Sequence, residues 1–202
     1  MQGANRSRRG VLAAVLALPV VARLESTTLA GRRRLSTLGF QRSSGVTNQG
    51  NGNVRMRATT ASGGASSYLR FRLPNQKLKI GHINNLQATF NSTAAAIPCT
   101  PTTPRFVIAT TAGSVVGMLS PTTEPNCSTT RTVELVRPGG TTKNFDVSAF
   151  TGSSVPVTYD QMKQIVSPYK VKGITLVVTV PDGGVGEFSW IVKPKVVVKV
   201  RR

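Results

Sequence analysis

The sequence predicts an all-β protein: an antiparallel sandwich with one or two short helices, preceded by a flexible basic segment. Short stretches of alternating or valine-rich residues recur along the chain, and Pro- and Gly-rich breaks separate them. Aromatic residues make up only 5 % of the chain, whereas threonine, serine and valine are abundant. β-Branched residues favour strands, and about eight or nine short strands at such spacing are typical of sandwiches and jelly rolls.

The basic segment covers residues 1–57 and contains ten arginines, no lysine and a single acid, Glu25. Arginine is always charged, and its planar guanidinium can make two parallel hydrogen bonds to a phosphate. We therefore expect this segment to bind a polyanion. The candidate nucleic-acid-binding residues are Arg6, Arg8, Arg9, Arg23, Arg32, Arg33, Arg34, Arg42, Arg55 and Arg57.

The charge of the whole chain supports the same partner. The formal net charge is +19, although only 16 % of the residues are charged. The imbalance therefore comes from scarce acids rather than from abundant bases, which differs from the composition of a typical ribosomal protein. A surface of one sign attracts a partner of the other, so nucleic acid is the expected partner.

The first 22 residues also allow a targeting interpretation. An apolar run from Val11 to Val21 follows Arg8-Arg9, as in an export signal, and the composition fits a mitochondrial presequence equally well. The arginines that follow the supposed cleavage point, Arg23 and Arg32–Arg34, argue against export. Arginines this close downstream of a cleavage point hinder translocation. The run is too short to span a membrane as a helix. A cleaved signal, a short helix within the arm and a membrane contact by Val11–Val21 all remain open, the last being the least favoured.

A linker is predicted from Gln41 to Asn53, where Ser, Gly, Asn and Gln follow one another without an apolar period. We therefore expect two units. Residues 1–53 form a basic, largely disordered arm and linker, and residues 54–202 form the β domain.

Alternation of apolar and polar residues predicts half-buried strands within the β domain. Along the last strand we expect Val196, Val198 and Val200 to point into the core, and Lys195, Val197 and Lys199 to point outward. The predicted strands are Val54–Thr59, Leu69–Leu73, Leu78–Phe90, Phe106–Thr111, Arg131–Val136, Val171–Val180, Glu187–Val192 and Lys195–Val200.

Local signals predict one helix and one turn. Thr158 followed by Gln161 is a capping box, and Met162, Ile165 and Val166 then share a helical face before Ser167-Pro168. Gly183-Gly184-Val185-Gly186 lacks the Lys-Ser/Thr of a phosphate loop. We interpret this glycine run as a hairpin turn.

The sequence shows no pair of acids or metal ligands in a recognisable catalytic pattern, so we expect neither enzymatic activity, nor a cofactor, nor a metal. The only histidine is His82, which we expect to be hydrogen-bonded and structural. Cys99 and Cys127 do not form a CxxC pair, and we expect two reduced thiols, although a disulfide remains open. Because aromatic residues are sparse, nucleic-acid contact should be electrostatic and sequence-tolerant.

The order of these parts resembles the coat proteins of small plus-strand RNA plant viruses. An arginine-rich arm, Arg6 to Arg34, precedes a Gly/Ser/Asn hinge, Gln41 to Asn53, and a β domain. Leu78 to Leu86 (LKIGHINNL) is similar to an early strand of such proteins, and Thr158 to Ile174 to their short inter-strand helix and the late strand after it. The chain length and the arginine-only arm resemble the ourmiavirus group. The apolar run Val11–Val21 departs from the family pattern.

The resemblance implies an eight-stranded jelly-roll shell domain and a structural rather than enzymatic role. It implies self-assembly of many copies into a capsid that packages single-stranded genomic RNA without reading its sequence. The expected locations are the virion and, before assembly, the host cell cytoplasm. Two other classes stay open: an exported or organelle-targeted β-sandwich binding protein with a cleaved signal, and a ribosomal or RNP protein.

Overall fold

The structure confirms the all-β prediction. A computed structural model of the chain describes residues 31–35, 45–59, 66–74, 77–93, 97–180 and 186–200. Within these ranges eleven strands form two antiparallel sheets, and the helices are short.

The elements follow one another in chain order. The strands are β1 Gly31–Leu35, β2 Val46–Gly50, β3 Asn53–Thr59, β4 Ser67–Phe71, β5 Ile83–Ser92, β6 Arg105–Thr110, β7 Ser114–Met118, β8 Arg131–Glu134, β9 Phe145–Asp146, β10 Val171–Val178 and β11 Glu187–Val200. The helices are α1 Ser148–Thr151 and α2 Tyr159–Val166, and a single 3₁₀ turn spans Ile80–His82.

The two sheets enclose the core. The six-stranded sheet has the order β2-β3-β11-β5-β8, and β1 also pairs with β11. The five-stranded sheet has the order β4-β10-β6-β7-β9. Alternate residues of each strand point to opposite faces, so each sheet buries one apolar face. The largest buried side chains include Trp190 and Phe90 from the first sheet and Phe71, Phe106 and Phe145 from the second.

β11 is one continuous strand of fourteen residues. The prediction that Pro194 separates two strands was therefore wrong, whereas the predicted faces are confirmed where the side chains are described. Val196 and Val198 are fully buried, while Lys195 and Lys199 are exposed and Val197 is half-buried on the outward side.

Pro194 fits inside β11 because its backbone faces a gap between two neighbouring strands. Ser189 accepts a backbone hydrogen bond from Thr93, on the β5 side of β11. Backbone groups alternate sides along a strand, so Pro194 faces the other side. There β3 pairs as far as Val192 and β1 pairs from Val196 onward. A residue without an N–H therefore removes no ladder bond at this position.

The predicted linker Gln41–Asn53 was wrong for its second half, which forms β2 and a hairpin turn to β3. Asn51 and Gly52 at the turn have φ angles of 49° and 77°. Two positive φ angles give the hairpin turn whose twist matches that of the flanking strands, and Asn-Gly is the dipeptide that favours it. The same two residues had been interpreted as linker composition.

The predicted arm also contains β1. Residues 31–35 pair along the last third of β11, from Gly31 opposite Val200 to Leu35 opposite Val196. The predicted helix or targeting signal before residue 23 lies outside the described residues, and the boundary at residue 53 stays a prediction.

The predicted hairpin at the glycine run was wrong because β10 and β11 lie in different sheets. The segment between Val178 and Glu187 therefore crosses from one sheet to the other. By contrast, the predicted helix is confirmed as α2: the Thr158 side chain accepts from the Gln161 backbone, and the Gln161 side chain accepts from the Thr158 backbone.

Cys99 and Cys127 form a disulfide, so the expectation of two reduced thiols was wrong. Backbone pairing brings them together, because Cys99 pairs with Glu124 and the Cys127 amide donates to the Ile97 carbonyl. The two Cα atoms are 5.6 Å apart, a separation that a disulfide spans without backbone movement.

Candidate nucleic-acid interface

The ten candidate arginines are distributed unevenly over the structure. Arg6, Arg8, Arg9, Arg23 and Arg42 lie outside the described residues. Arg32–Arg34 lie in β1, where the structure describes the backbone but not the side chains. Only Arg55 and Arg57, both on β3, have described side chains.

β3 holds Arg55 and Arg57 on the outward face of the six-stranded sheet. Val54, Met56 and Ala58 are at most 5 % exposed and belong to the core. Since neighbouring side chains alternate between faces, both arginines lie on the outward face, where Arg57 is exposed and Arg55 is half-buried. Only the apolar residues of β3 contribute to the core. Arginine at positions 55 and 57 is therefore compatible with the fold.

Three lysines of β11 share this outward face. Lys193, Lys195 and Lys199 are exposed, and they lie beside the β3 arginines because Arg55 pairs with Ile191 and Arg57 with Ser189. At about 3.4 Å per residue, β11 carries its lysines over about 20 Å. Together these lysines and arginines form the basic face: Arg55, Arg57, Lys193, Lys195 and Lys199. The sequence predicts that Lys195 and Lys199 point outward, but none of the three lysines was predicted to belong to the site.

Two acids lie on the same face and neutralise it only in part. Glu187 pairs with Arg57 at 3.5 Å (Oε1 to Nε), with side chains that are 57 % and 49 % exposed. Ion pairs this exposed contribute only about 0–1 kcal/mol, so a phosphate can compete for the arginine. Glu134 accepts a hydrogen bond from Asn85 Nδ2 at 2.6 Å. The basic face therefore carries five basic side chains beside two acidic ones.

The β1 backbone lies beside the basic face. Arg32 pairs with Lys199 and Arg34 pairs with Val197 in the β1–β11 ladder. The structure therefore joins part of the arginine-rich segment to the lysine-bearing half of β11. The sequence predicted neither strand β1 nor this junction.

The described residues hold no cluster of metal ligands. They include no group of three or more His, Cys, Asp or Glu side chains that could hold a metal ion. His82 Nδ1 accepts from the Lys79 backbone at 3.3 Å, within the 3₁₀ turn. A cleft of about 540 Å³ beside β8 is lined by residues such as Glu134, Arg137 and Tyr159, which form no acid–base pair. Among the described helices, none has the length and apolarity to cross a membrane.

Comparison of the chain with known protein families, with curated proteins and with solved structures found no match. Function is therefore inferred from the residues and the fold of this chain alone. The basic face can attract and hold a polyanion by charge. The described outward positions of β3, β5 and β11 hold no aromatic side chain on which a base could stack, since they are charged, amide, hydroxyl and aliphatic residues.

Proposed function

We propose that this chain is a viral coat protein that assembles into a shell and packages single-stranded RNA through its arginine-rich segment. The observation that carries the proposal is the segregation of charge. Eight of the ten arginines of residues 1–57 precede β3, and β1, which holds three of them, pairs with β11. Phosphates neutralised by the segment would release counterions, so affinity should fall steeply with salt.

The connectivity of the strands supports a jelly-roll shell domain. Counting β3, β4, β5, β6, β7, β8, β10 and β11 as strands one to eight, the sheets have the orders 1-8-3-6 and 2-7-4-5. A strand order that alternates between two four-stranded layers in this way is expected of the double Greek key of jelly rolls, a fold common in viral capsids. Of the extra strands, β2 and β9 lie at the ends of the two sheet orders, and β1 pairs with β11.

Assembly would combine many weak contacts with RNA into one strong interaction. One arginine-rich segment binds RNA modestly, whereas many such segments on one closed shell act at a high effective concentration. In this proposal the β body supplies contacts between copies and the arms neutralise the genome.

The first test neutralises the arm without shortening it. In the full chain, Arg6, Arg8, Arg9 and Arg23 are replaced by Gln, which leaves β1 in place. We expect wild-type binding of single-stranded polyuridine to follow a slope of log K against log salt of about −5 to −7. The neutralised variant should have a slope smaller by about 3 and should assemble particles that contain less RNA, as seen by electron microscopy and ultraviolet absorbance.

A variant with residues 1–30 in scrambled order is the matched control. It keeps the composition and the charge, and we expect it to bind and package RNA as the wild type does. If the neutralised variant retains wild-type slope and RNA content, the arm is not the packaging element. If only the scrambled variant loses packaging, sequence rather than charge is being read.

The disulfide favours a second candidate, an exported β-sandwich binding protein with a cleaved N-terminal signal. Disulfides persist mainly in oxidising compartments, and Cys99 and Cys127 are joined. N-terminal sequencing of the protein from cells that express the full chain distinguishes the two. A mature N-terminus at Arg23 or later, together with absence of particles, would support export.

A further inference from the structure

Four lysines meet at the end of the sandwich where β10 begins. Lys79 and Lys170 are partners in an isolated antiparallel bridge. The adjoining Val171 amide donates to the Leu78 carbonyl at 2.7 Å. Lys77 and Lys172 each lie two residues from this bridge, on the far side of Leu78 and Val171. We call Lys77, Lys79, Lys170 and Lys172 the lysine quartet.

All members of the lysine quartet face solvent. Each is exposed, whereas the intervening Leu78 and Val171 are only 2 % and 6 % exposed and belong to the core. Side chains that alternate in this way along two paired segments point to one common face. The structure therefore gathers four positive charges in a small area.

This arrangement is unfavourable in the free protein. Like charges that lie directly opposite on paired strands repel each other. The ion pairs among the described residues join Arg57 to Glu187, Arg131 to Glu124 and Lys163 to Asp160, and none of them includes a quartet lysine. A bound anion would relieve the repulsion.

The position of the lysine quartet indicates which anion reaches it. The 3₁₀ turn that follows Lys79 leads into β5, whose Ile83 pairs with Val198. Gly81 of that turn and Lys199 of the basic face line one cleft of about 300 Å³. β1 starts at the same end, since Gly31 pairs with Val200. The described start of the arginine-rich segment therefore lies at the end of the sandwich that carries the lysine quartet.

We propose that the lysine quartet is a second phosphate-binding site for single-stranded RNA, carried by the β body and separate from the arm. The clustering of the four lysines does not depend on the proposed function, whereas the choice of RNA as the partner rests on it. Lysine is a compact point charge that meets phosphate without a fixed geometry, so the site should bind the backbone and not the bases.

The test uses the full chain with Lys79→Gln/Lys170→Gln, which removes the facing pair. The matched control is Arg137→Gln/Lys143→Gln, which removes two exposed charges from the loop after β8. With polyuridine as the probe, we expect the slope of log K against log salt to fall by about 1.4 in the first variant, at about 0.7 per lost phosphate contact. The control should keep a slope close to that of the wild type.

Two further measurements separate binding from folding. Without RNA, the Lys79→Gln/Lys170→Gln variant should unfold at the same temperature as the wild type or a higher one, because the repulsion is gone. A charge-keeping variant, Lys79→Arg/Lys170→Arg, should restore the wild-type slope. Equal slopes for the Gln variant and its control, or a lower unfolding temperature in the absence of RNA, would overturn the proposal.

The outcome is independent of the arm test. If neutralising the arm leaves RNA binding unchanged while Lys79→Gln/Lys170→Gln lowers the slope, the arm hypothesis fails and the lysine quartet stands. The reverse pattern removes the lysine quartet and keeps the arm. Phosphatidylserine vesicles provide the last comparison. If the double variant loses vesicle binding but keeps its RNA slope, a membrane is the partner and the RNA site is refuted.

Discussion

Val197 and Val198 are neighbours in β11, yet they face opposite sides of the six-stranded sheet. Val198 is fully buried, and Val197 is half-buried between the exposed Lys195 and Lys199. The alternation of residues along this strand in the sequence predicts the orientation of both valines. A valine on the outward side of a basic strand is not needed for the core, and we propose that it lies at or beside a contact between copies.

Replacing each valine by aspartate distinguishes these two environments. Val198→Asp should unfold the body, because an unpaired charge in the core costs several kcal/mol. Val197→Asp should keep the circular dichroism spectrum and weaken assembly, measured by sedimentation. Normal assembly of the Val197→Asp variant would show that this face is not a subunit contact.

Glu124 and Arg131 form the most enclosed ion pair of the described residues. The side chains are 37 % and 25 % exposed, Ser120 donates to Glu124 at 2.9 Å, and the Arg131 guanidinium lies 5.8 Å from the centre of the Phe90 ring. The hydrogen bond from Arg131 lowers the pKa of the Glu124 carboxyl below its ordinary value, which outweighs the opposing effect of partial burial. The pair ties the loop before β8 to the end of the six-stranded sheet.

This lowered pKa predicts a pH dependence of stability. The native state favours the charged Glu124 carboxylate, so its contribution is complete above the ordinary glutamate pKa of about 4.3 and is lost as pH falls through the lower native pKa. At neutral pH, Glu124→Gln should lower the free energy of unfolding by about 0.5–1 kcal/mol, a modest value because the pair is partly exposed. In urea titrations the difference from wild type should shrink as pH approaches about 3. A difference that grows on acidification would contradict the assignment.

At the scale of elements, the sequence predicted those strands whose apolar residues alternate locally. It missed β7, because Gly117 interrupts the pattern. A Cβ added there would lie 2.7 Å from Leu135 Cδ1, so this glycine permits close packing rather than ending the strand. It missed β1 and β2 because they have few apolar residues, and their pairing with β11 and β3 is determined by the tertiary structure.

The disulfide is the other feature that local patterns could not predict. Its cysteines are 28 residues apart, and both sit in Pro- and Thr-rich segments. By the chain-entropy model, closing a loop of this length stabilises the fold by about 3.6 kcal/mol. We expect reductant to lower the urea midpoint of the wild type by a corresponding amount and to leave that of Cys99→Ser/Cys127→Ser unchanged. Alkylation of both cysteines in urea without reductant would show that the bond is absent.

At the scale of the whole molecule, three concentrations of positive charge bear on the proposed function: the arginine-rich segment, the basic face and the lysine quartet. The first could be predicted because its arginines are consecutive or nearly so in the sequence. The basic face was half predicted, since Arg55 and Arg57 belonged to the same run but the β11 lysines did not. The lysine quartet could not be predicted, because Lys79 and Lys170 are distant in sequence and meet only through the pairing of β10 with the segment before β5.

The proline inside β11 has a consequence for proteins held at high concentration. A strand that loses its neighbour exposes a free N–H and C=O, and such a pair can capture a stray strand and seed aggregation. Along the side of β11 that passes from β3 to β1, the one backbone unit that faces the gap belongs to Pro194. It presents a carbonyl but no donor. At high protein concentration, this gap along β11 therefore cannot act as a template for a strand from another molecule.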